Sequence, residues 1–432
     1  MATRIVSRSG NKIVMEVEID IEGKSMLDNE MAIREAVSAA GAIATADALT
    51  AFDADGAPIV SDGVKWTSKG RHTEKYECPY GSIVVSRHVY QSPSGGKTFC
   101  PLESGARMIL NSTPAYAKIL SYKYSHGGAR GAAEDMLESN GRKVCPVYIK
   151  HVSDFVGSVA EAKETDWEYE LPECASRAAS VSVGLDGTCM LMVESGWRVA
   201  MTGTISLYDD KGERLHTIYM GATPEYGKEK FLSRLDRELT RVKLLLPDRA
   251  YVGLADGAAE NWAFLAPRTD RLILDFYHAL EYVKQAANSI FPGVKRKKDR
   301  ETWIDDRLHR LKHKQGAAKR LLGEMSEALR SVAEKHREPL RQTVTYFNNH
   351  YPKMAYAKQL AENMPIGSGV TEAACKELIK QRLCNSGMRW KEEGAAAVIA
   401  IRSLALTDER WTQFWAKISD SGCPCHKTFE RL

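Results

Sequence analysis

Three acidic residues have the type and placement expected of a site that holds divalent metal ions. Asp186 interrupts the β-branched, apolar segment ASVSVGLDGTCMLMV, and Asp256 follows the apolar segment RAYVGLA. Glu372 follows a Gly-Ser-Gly loop and begins a basic segment. Converging carboxylates repel each other unless cations lie between them, and their oxygens suit Mg²⁺ or Mn²⁺ better than zinc. Two such ions, about 3.5–4 Å apart, can act on the attacking and leaving oxygens of a phosphodiester.

Each of these acids also has a plain structural interpretation. An aspartate followed by glycine, as at Asp186 and Asp256, is often part of a turn. A glutamate near a helix start, such as Glu372, can simply complement the helix dipole. Two acids within strands followed by a third on a later helix form a joint pattern, and that pattern favours the metal site over three independent turns and caps.

The elements that must position these acids lie after residue 178. The pattern predicts a strand with Asp186, two strands joined by a turn at 209–212, and the amphipathic helix KEKFLSRLDRELTRVKLLL. A strand ending at Asp256, a helix-like segment and a strand running into a helix follow. This order is that of an RNase H-like fold, with three antiparallel strands and then parallel ones. In that fold the first and fourth strands carry neighbouring acids, and Glu372 would supply the third from a later helix.

The chain as a whole is predicted to be an α/β protein with several regions, because 432 residues exceed one ordinary core. Three short helices are predicted at 114–125, 129–139 and 146–162, the first two separated by Gly127 and Gly128. This pattern is typical of a helix-turn-helix, although a plain helical linker fits it too. The predicted regions are a mixed N-terminal α/β region at 1–108, a helical, helix-turn-helix-like DNA-binding region at 109–165, the first part of the RNase H-like core at 178–284, an inserted all-α domain at 285–363, the last part of the core at 364–406 and a tail at 407–432.

Composition narrows the class of protein. Hydrophobic residues make up 44% of the chain and charged residues 27%, which is ordinary for a globular protein. No apolar stretch is long enough for a membrane-spanning helix, and the N-terminus lacks the apolar segment of a signal peptide. The nine scattered cysteines indicate reduced thiols. We therefore expect a cytoplasmic protein without a membrane partner.

Four separated blocks resemble one family. IGSGVTEAACKELIKQRLCNSGMRW resembles the C-terminal signature of DDE-type insertion-sequence transposases of the ISKra group, and LDGT, ADGAAENW and DFYHALEYV resemble that family's other blocks in the same order. The resemblance covers about 180–406 well and the N-terminal third more loosely. It implies an RNase H-like catalytic core, metal-dependent cleavage at the element ends and strand transfer into target DNA. It also implies a homo-oligomer, a dimer or larger, on DNA in the bacterial nucleoid.

The resemblance assigns roles to individual residues. Asp186, Asp256 and Glu372 become the catalytic triad and the ligands of two Mg²⁺ or Mn²⁺ ions per active site. Asp275 and His278 match the Asp-x-x-His string that many DDE transposases carry after the second acid. His278 would then contact the scissile phosphate or hold the active-site loop. The alternative is a structural histidine at a strand-to-helix junction.

The chain departs from this family in its cysteines. Members often have a cysteine-rich, zinc-binding segment, whereas here only Cys78 and Cys100 lie near the corresponding place, without paired Cys-x-x-Cys spacing. A complete tetrahedral zinc site is therefore not expected there. Cys423, Cys425 and His426 could bind a metal, but the tail offers no obvious second pair of ligands.

Local charge indicates a nucleic-acid partner. Residues 295–320 contain eleven Lys or Arg against four Asp or Glu, although a solvated helix face would also produce such a run. The candidate DNA-binding residues are Lys295, Arg296, Lys297, Lys298, Lys376, Lys380, Arg382, Arg389 and Trp390. Trp262 and Trp390 are either core residues or a platform for a flipped base. Recognition of the terminal inverted repeats is predicted for the helical region, through Lys123, Arg130, Arg142, Lys143 and Lys150.

These observations predict a DNA transposase that hydrolyses a phosphodiester at each transposon end and joins the freed 3′-hydroxyl to target DNA. A metal-dependent nuclease on the same core, which cuts but does not join, is one alternative. A domesticated DNA-binding protein without catalysis is the other.

Overall fold

The computed structural model describes residues 3–385, 387–423, 426 and 430–431. The chain is a mixed α/β protein, about half helical, with one mixed five-stranded sheet and further antiparallel sheets. It divides into unit 1, which comprises Met1–Tyr169, Ala396–Arg402 and Arg410–Leu432, and unit 2, which comprises Glu170–Ala395 and Ser403–Glu409. No helix in the described part of the chain combines the length and hydropathy that crossing a membrane would require.

The strands fall into three sheets. β1 pairs with β2 as a hairpin, the other unit 1 strands are ordered β12-β3-β4-β5-β6, and the unit 2 strands are ordered β11-β10-β7-β8-β9. Their bounds are β1 Thr3–Ser9, β2 Lys12–Val17, β3 Ile59–Ser61, β4 Val64–Cys78, β5 Gly81–Gln91, β6 Thr98–Phe99, β7 Ser180–Met192, β8 Gly196–Tyr208, β9 Arg214–Ala222, β10 Ala250–Ala255, β11 Arg271–Leu274 and β12 Glu430–Arg431.

Fifteen α-helices are described, together with three short 3₁₀ segments and one π-helical turn. The α-helices are α1 Met26–Thr50, α2 Pro101–Gly105, α3 Pro114–Asn140, α4 Pro146–Ala162, α5 Lys228–Leu245, α6 Ala259–Leu265, α7 Phe276–Ile290, α8 Lys297–His313, α9 Ala317–Ala328, α10 Glu334–His350, α11 Tyr356–Ala361, α12 Gly369–Ala374, α13 Gln381–Leu383, α14 Glu392–Leu406 and α15 Arg410–Ser421. The 3₁₀ segments are Glu173–Arg177, Val294–Arg296 and Tyr351–Lys353, and the π-helical turn is Cys375–Lys380.

The helical region of unit 1 has the pattern that its glycines predict. α3 is broken at Gly128, whose φ of 75° and ψ of 177° are not helical, so its two halves correspond to the two predicted short helices. Gly141 ends α3 in the left-handed conformation, which glycine adopts without a steric penalty. α4 begins and ends where the third helix is predicted. The predicted helices are therefore confirmed, and their role in binding DNA stays a prediction.

The predicted succession of strands and helices in unit 2 is confirmed. β7, β8 and β9 are consecutive antiparallel strands, whereas β10 and β11 run parallel to β7. The turn between β8 and β9 is stabilised by Asp209, whose side chain accepts hydrogen bonds from the backbone N–H groups of Lys211 and Glu213. Each parallel connection contains a helix, as the crossover between parallel strands requires.

The core of unit 2 lies between its sheet and helices. The apolar positions of α5 at helical spacing are fully buried, and each such side chain contributes about 1.5–3 kcal/mol. These positions are Phe231, Leu235, Leu239 and Val242. The region between α7 and α12 is helical, as predicted. Its buried residues, among them Leu311, Leu321 and Phe347, belong to the same hydrophobic cluster as the sheet residues.

Candidate metal centre

The register of the parallel strands sets three aspartates at one level of the unit 2 sheet. Leu254 pairs with Gly184, so Asp256, two residues later, comes level with Asp186. Ala255 pairs with Leu274, and the next residue, Asp275, donates its backbone N–H to the Ala255 carbonyl at 2.9 Å. Neighbouring strands are about 4.8 Å apart, so the backbone of Asp256 lies at about that distance from the backbones of Asp186 and Asp275.

Asp186 is half-buried and is held by two donors. Its Oδ1 accepts the backbone N–H of Gly187 at 2.7 Å, and its Oδ2 accepts the thiol of Cys375 at 3.4 Å. Burial, and then the charge of Asp186, raise the pKa of Cys375 to about 12. The thiol therefore stays protonated at neutral pH and acts as a donor to the carboxylate.

Asp256 immediately follows β10 and sits in a turn. Its Oδ1 accepts hydrogen bonds from the backbone N–H of Ala258 at 3.2 Å and from the Asn261 amide at 3.3 Å. The Tyr346 hydroxyl donates to the Asp256 backbone carbonyl at 2.9 Å. Within the described residues no lysine or arginine forms an ion pair with Asp256, so its charge lacks a cationic partner there.

Aromatic and imidazole groups on α10 surround this turn. Burial raises the pKa of Tyr346, as do the charges of Tyr282, Asp256 and Asp275, so its hydroxyl remains a donor. Burial and then the charge of Lys353 lower the pKa of His350, against the opposing effect of Asp256. His350 is therefore neutral at physiological pH and does not neutralise the carboxylate.

Glu372 lies in the first turn of α12 and is exposed. Its backbone N–H donates to the Ser368 carbonyl at 2.9 Å, and the Ser368 hydroxyl lies 3.1 Å from its Oε1. Glu372 and Asp186 line the same cleft, which has a volume of about 790 Å³. Lys376 and Lys380, in the π-helical turn that follows, line it too. Helices with π turns occur often at functional sites.

α12 reaches the sheet because Gly184 has no side chain. A Cβ at Gly184 would lie 2.1 Å from Thr371 Oγ1, which itself makes a 2.7 Å hydrogen bond with Thr204 Oγ1. Thr371 directly precedes Glu372, and Gly184 lies two residues before Asp186. The close approach of helix and strand therefore sets the position of Glu372 relative to Asp186.

Replacing Gly184 by alanine should lower the free energy of unfolding of unit 2 by about 1–3 kcal/mol, because the added methyl overlaps Thr371. Thermal and urea unfolding would measure the loss. The double variant Gly184→Ala/Thr371→Ala should be less destabilised than the sum of the single variants, since removal of the threonine hydroxyl relieves the overlap. The control is Gly323→Ala on α9, where a Cβ meets open space and should stabilise the helix by about 0.5–1 kcal/mol. Strict additivity would contradict the steric explanation.

Asp275 is fully buried and joins two segments that are distant in sequence. As the N-cap of α7, it accepts the His278 backbone N–H at 2.7 Å on Oδ1. Its Oδ2 accepts the backbone N–H and, at 2.9 Å, the hydroxyl of Ser368. Asp275 therefore fixes the loop from which α12 starts. The Asp-x-x-His string is visible in the sequence, but nothing in the sequence assigns Asp275 to the site.

The closest set of metal-ligating atoms differs from the predicted one. Within the described part of the chain, one group of three or more His, Cys, Asp or Glu residues has ligand atoms all within 4.8 Å of one another: Asp275, His278 and Glu372. The structure thus brings together two predicted catalytic residues, His278 and Glu372. The ligand atoms of the predicted triad, Asp186, Asp256 and Glu372, do not all lie within that distance of one another. Asp186 shares the cleft of Glu372, and Asp256 is level with Asp186 in the sheet. The roles of all four stay predictions.

Most predicted DNA-binding residues are exposed. Lys295, Arg296, Lys297 and Lys298 lie on the surface, as do Lys376, Lys380 and Arg389. Arg296 is paired with Asp299 at 2.6 Å. Arg382 differs, since it is only 5% exposed and lies over the Trp390 ring at 5.1 Å. Trp390 is half-buried and donates its indole N–H to the Leu383 carbonyl, whereas Trp262 is 8% exposed and belongs to the core.

The cations of the helical region in unit 1 divide into two groups. Lys123, Arg142 and Lys150 form ion pairs, with Asp135, Glu77 and Asp154 respectively. Arg130 and Lys143 are exposed, and neither forms an ion pair with a described residue. A phosphate can therefore reach Arg130 and Lys143 without first breaking an ion pair with a described residue.

The cysteines do not form a zinc site in the described residues. Cys78 and Cys100 are buried free thiols in one hydrophobic cluster of unit 1. Cys423 Sγ lies 3.5 Å from His426 Nδ1, while Cys425, the other predicted ligand of the tail, lies outside the described residues.

No protein-family model matches this sequence, and a search of curated proteins finds no match.

Proposed function

We propose that this protein is a DNA transposase with an RNase H-like catalytic core. It would hydrolyse a phosphodiester at each transposon end and join the freed 3′-hydroxyl to target DNA. The observation that carries the proposal is the register of β10 on β7, which brings Asp256, directly after β10, level with Asp186 in β7, with Glu372 in the same cleft as Asp186. The strand order β11-β10-β7-β8-β9, with three antiparallel and two parallel members, supports the fold assignment.

The residues present fit Mg²⁺ or Mn²⁺. Asp186, Asp256 and Glu372 offer hard oxygen donors, all of them reached by solvent, and none is neutralised by an ion pair with a described residue. They would hold two ions. When bound, such ions polarise the phosphodiester and lower the pKa of a coordinated water.

The chain's own groups supply orientation and charge. The Gly187 N–H and the Cys375 thiol hold Asp186, and the Asn261 amide holds Asp256, so both carboxylates are fixed before substrate binds. Lys376 and Lys380 would hold DNA phosphates beside the acids. Contacts of this kind fix register without reading sequence and weaken as salt rises.

The partners follow from the reaction. Two transposon ends must be brought together, so we expect a homodimer or a larger assembly on DNA. Recognition of the terminal inverted repeats would fall to the helical region of unit 1, where Arg130 and Lys143 are exposed and form no ion pair with a described residue. Target DNA would pass over the basic surface of α8, which begins with Lys297 and Lys298.

Glu372→Gln tests the proposal in a cleavage and joining assay on DNA that carries the element's own flanking ends. Wild-type protein should cut and join with Mg²⁺ and should do neither with EDTA. The variant should lose about 10³-fold in rate, because several kcal/mol of charge stabilisation disappear with a metal ligand. Glu377→Gln, the same change in the π-helical turn that follows α12 but outside the cleft, should retain activity.

Other outcomes separate the alternatives. Cutting that needs Glu372 but never yields joined products would indicate a nuclease. Specific DNA binding without cutting by either protein would overturn the enzymatic proposal and leave a non-catalytic DNA-binding protein.

A further inference from the structure

The start of α7 and the loop before α12 are joined side by side. Phe276 donates its backbone N–H to the Ile366 carbonyl at 3.0 Å, and the Ser368 backbone N–H donates to Asp275. These bonds place His278, in the first turn of α7, next to Glu372, in the first turn of α12. Two exposed side chains with metal-binding atoms, His278 and Glu372, thus lie close to one buried carboxylate, that of Asp275.

The donor atoms of this group fit around one ion. One ligand atom each from Asp275, His278 and Glu372 lies within 4.8 Å of the other two. Ligands about 2.0–2.2 Å from a shared ion are at most about 4.4 Å from each other, so only a small closure is needed. Asp275 accepts three hydrogen bonds, which leaves one of the roughly four lone-pair sites of a carboxylate for a cation.

Within the described residues, no cationic side chain is paired with the two carboxylates of this group. The Ser368 hydroxyl lies 2.9 Å from Asp275 Oδ2 and 3.1 Å from Glu372 Oε1, yet its single proton can serve only one of them. Neither acid forms an ion pair with a described residue. Two adjacent carboxylates in this state repel each other, and a divalent cation between them would remove the repulsion.

A further polar atom beside the group lacks a partner. The Tyr356 side chain is fully buried, and its hydroxyl makes no hydrogen bond with the rest of the described chain. Burial, and then the charge of Asp275, raise the pKa of Tyr356. The hydroxyl therefore lies within electrostatic reach of Asp275, where a metal-bound water would offer it an acceptor or a donor.

We propose that Asp275, His278 and Glu372 bind one divalent transition-metal ion, with the His278 imidazole as a direct ligand. The inference rests on the proposed function in one respect: Glu372 is a metal ligand in both proposals. A nitrogen ligand suits Mn²⁺, Co²⁺ or Zn²⁺ better than Mg²⁺. The ion bound by Glu372 and His278 would therefore differ in metal preference from an ion bound by aspartates alone. His278 is thereby a metal ligand and not a phosphate contact.

A pair of histidines outside the proposed site must be replaced in any test, because it could bind the added metal. His309 and His313 are four residues apart on α8, both are exposed, and their ring centroids are 4.8 Å apart. Such a pair can chelate a transition metal on its own. All measurements are therefore made on full-length protein that carries His309→Gln and His313→Gln.

The experiment compares this background with the same protein carrying His278→Gln. Co²⁺ alone is titrated and followed by visible absorption, and pulsed electron paramagnetic resonance of bound Mn²⁺ reports nitrogen coupling. His278→Gln should weaken Co²⁺ binding about tenfold or more and abolish the nitrogen coupling. Loss of a residue that only orients a metal ligand already lowers metal affinity by about tenfold or more, and loss of the ligand itself should cost at least as much. His336→Gln on α10 serves as the matched control and should change neither quantity.

His278 is exposed, so its replacement should leave the fold intact, and the unfolding temperature in EDTA checks this. Unchanged Co²⁺ affinity and unchanged nitrogen coupling in His278→Gln would overturn the metal site. Cutting of DNA in the parallel assay separates the two proposals. His278-dependent Co²⁺ binding without cutting would uphold this site and overturn the transposase, whereas cutting without such binding would do the reverse.

Discussion

Replacing Asp256 by cysteine should lower Mg²⁺-dependent DNA cutting by about 10³-fold and should leave measurable cutting with Mn²⁺. Asp256 is level with Asp186 in the sheet and offers an Oδ2 that takes no hydrogen bond from the described residues. A thiolate is a poor ligand for Mg²⁺ but is accepted more readily by softer ions. Rescue that depends on the metal therefore distinguishes direct coordination from a structural role of the turn.

Rates of cutting in the two metals, measured on the same DNA, give the result. Asp256→Ala is the control, because it removes the ligand without offering a replacement and should be inactive with both ions. Equal loss in Mg²⁺ and Mn²⁺ for the cysteine variant, with an unchanged unfolding temperature, would argue that Asp256 does not touch a metal.

The second large effect is expected at Asp275. Asp275→Ala should lower the free energy of unfolding of unit 2 by about 2–4 kcal/mol, because it removes a helix N-cap and leaves the buried Ser368 N–H without its hydrogen-bond acceptor. Asp275→Asn should cost less, because one carbonyl oxygen remains as an acceptor. Calorimetric unfolding of the full chain, with the transition of unit 2 followed separately, measures both.

Asp305→Ala is the matched control for this prediction. Asp305 is exposed on α8, and a surface aspartate of this kind should change stability by no more than about 0.5 kcal/mol. If Asp275→Ala were as mild as the control, the bonds that join the α7 start to the loop before α12 would not be important for stability.

The strands and their order were accessible from sequence because each has a strong local signal. The β-branched segment around Asp186, the turn at Asp209 and the helical spacing in α5 each follow from side-chain periodicity and turn chemistry over a few residues. Once β7 and β10 are assigned as parallel neighbours, only their register is still needed to show that Asp186 and Asp256 lie at the same level of the sheet.

Features of the site that depend on long-range packing were not accessible in this way. Nothing in the local sequence around Asp275 indicates that its carboxylate is buried against Ser368, because α8 to α11 separate the two residues in the sequence. The burial of Arg382 against Trp390 is a similar case. All the cations of a basic segment are expected to be exposed, and only the tertiary structure determines which of them is buried. The packing of Thr371 against Gly184 likewise joins a strand to a helix that is distant in sequence.

The dependence of α12 on Gly184 and on Asp275 has a consequence for protein synthesis. Both partners leave the ribosome well before Thr371 and Ser368, so their contacts can form only when the last of these helices has emerged. A nascent chain stopped within α8 to α11 would carry Asp186 and Asp256 without Glu372. Under the proposed function, an incompletely translated product can occupy DNA but cannot cut it, which restricts strand breakage to chains whose synthesis has passed this helix.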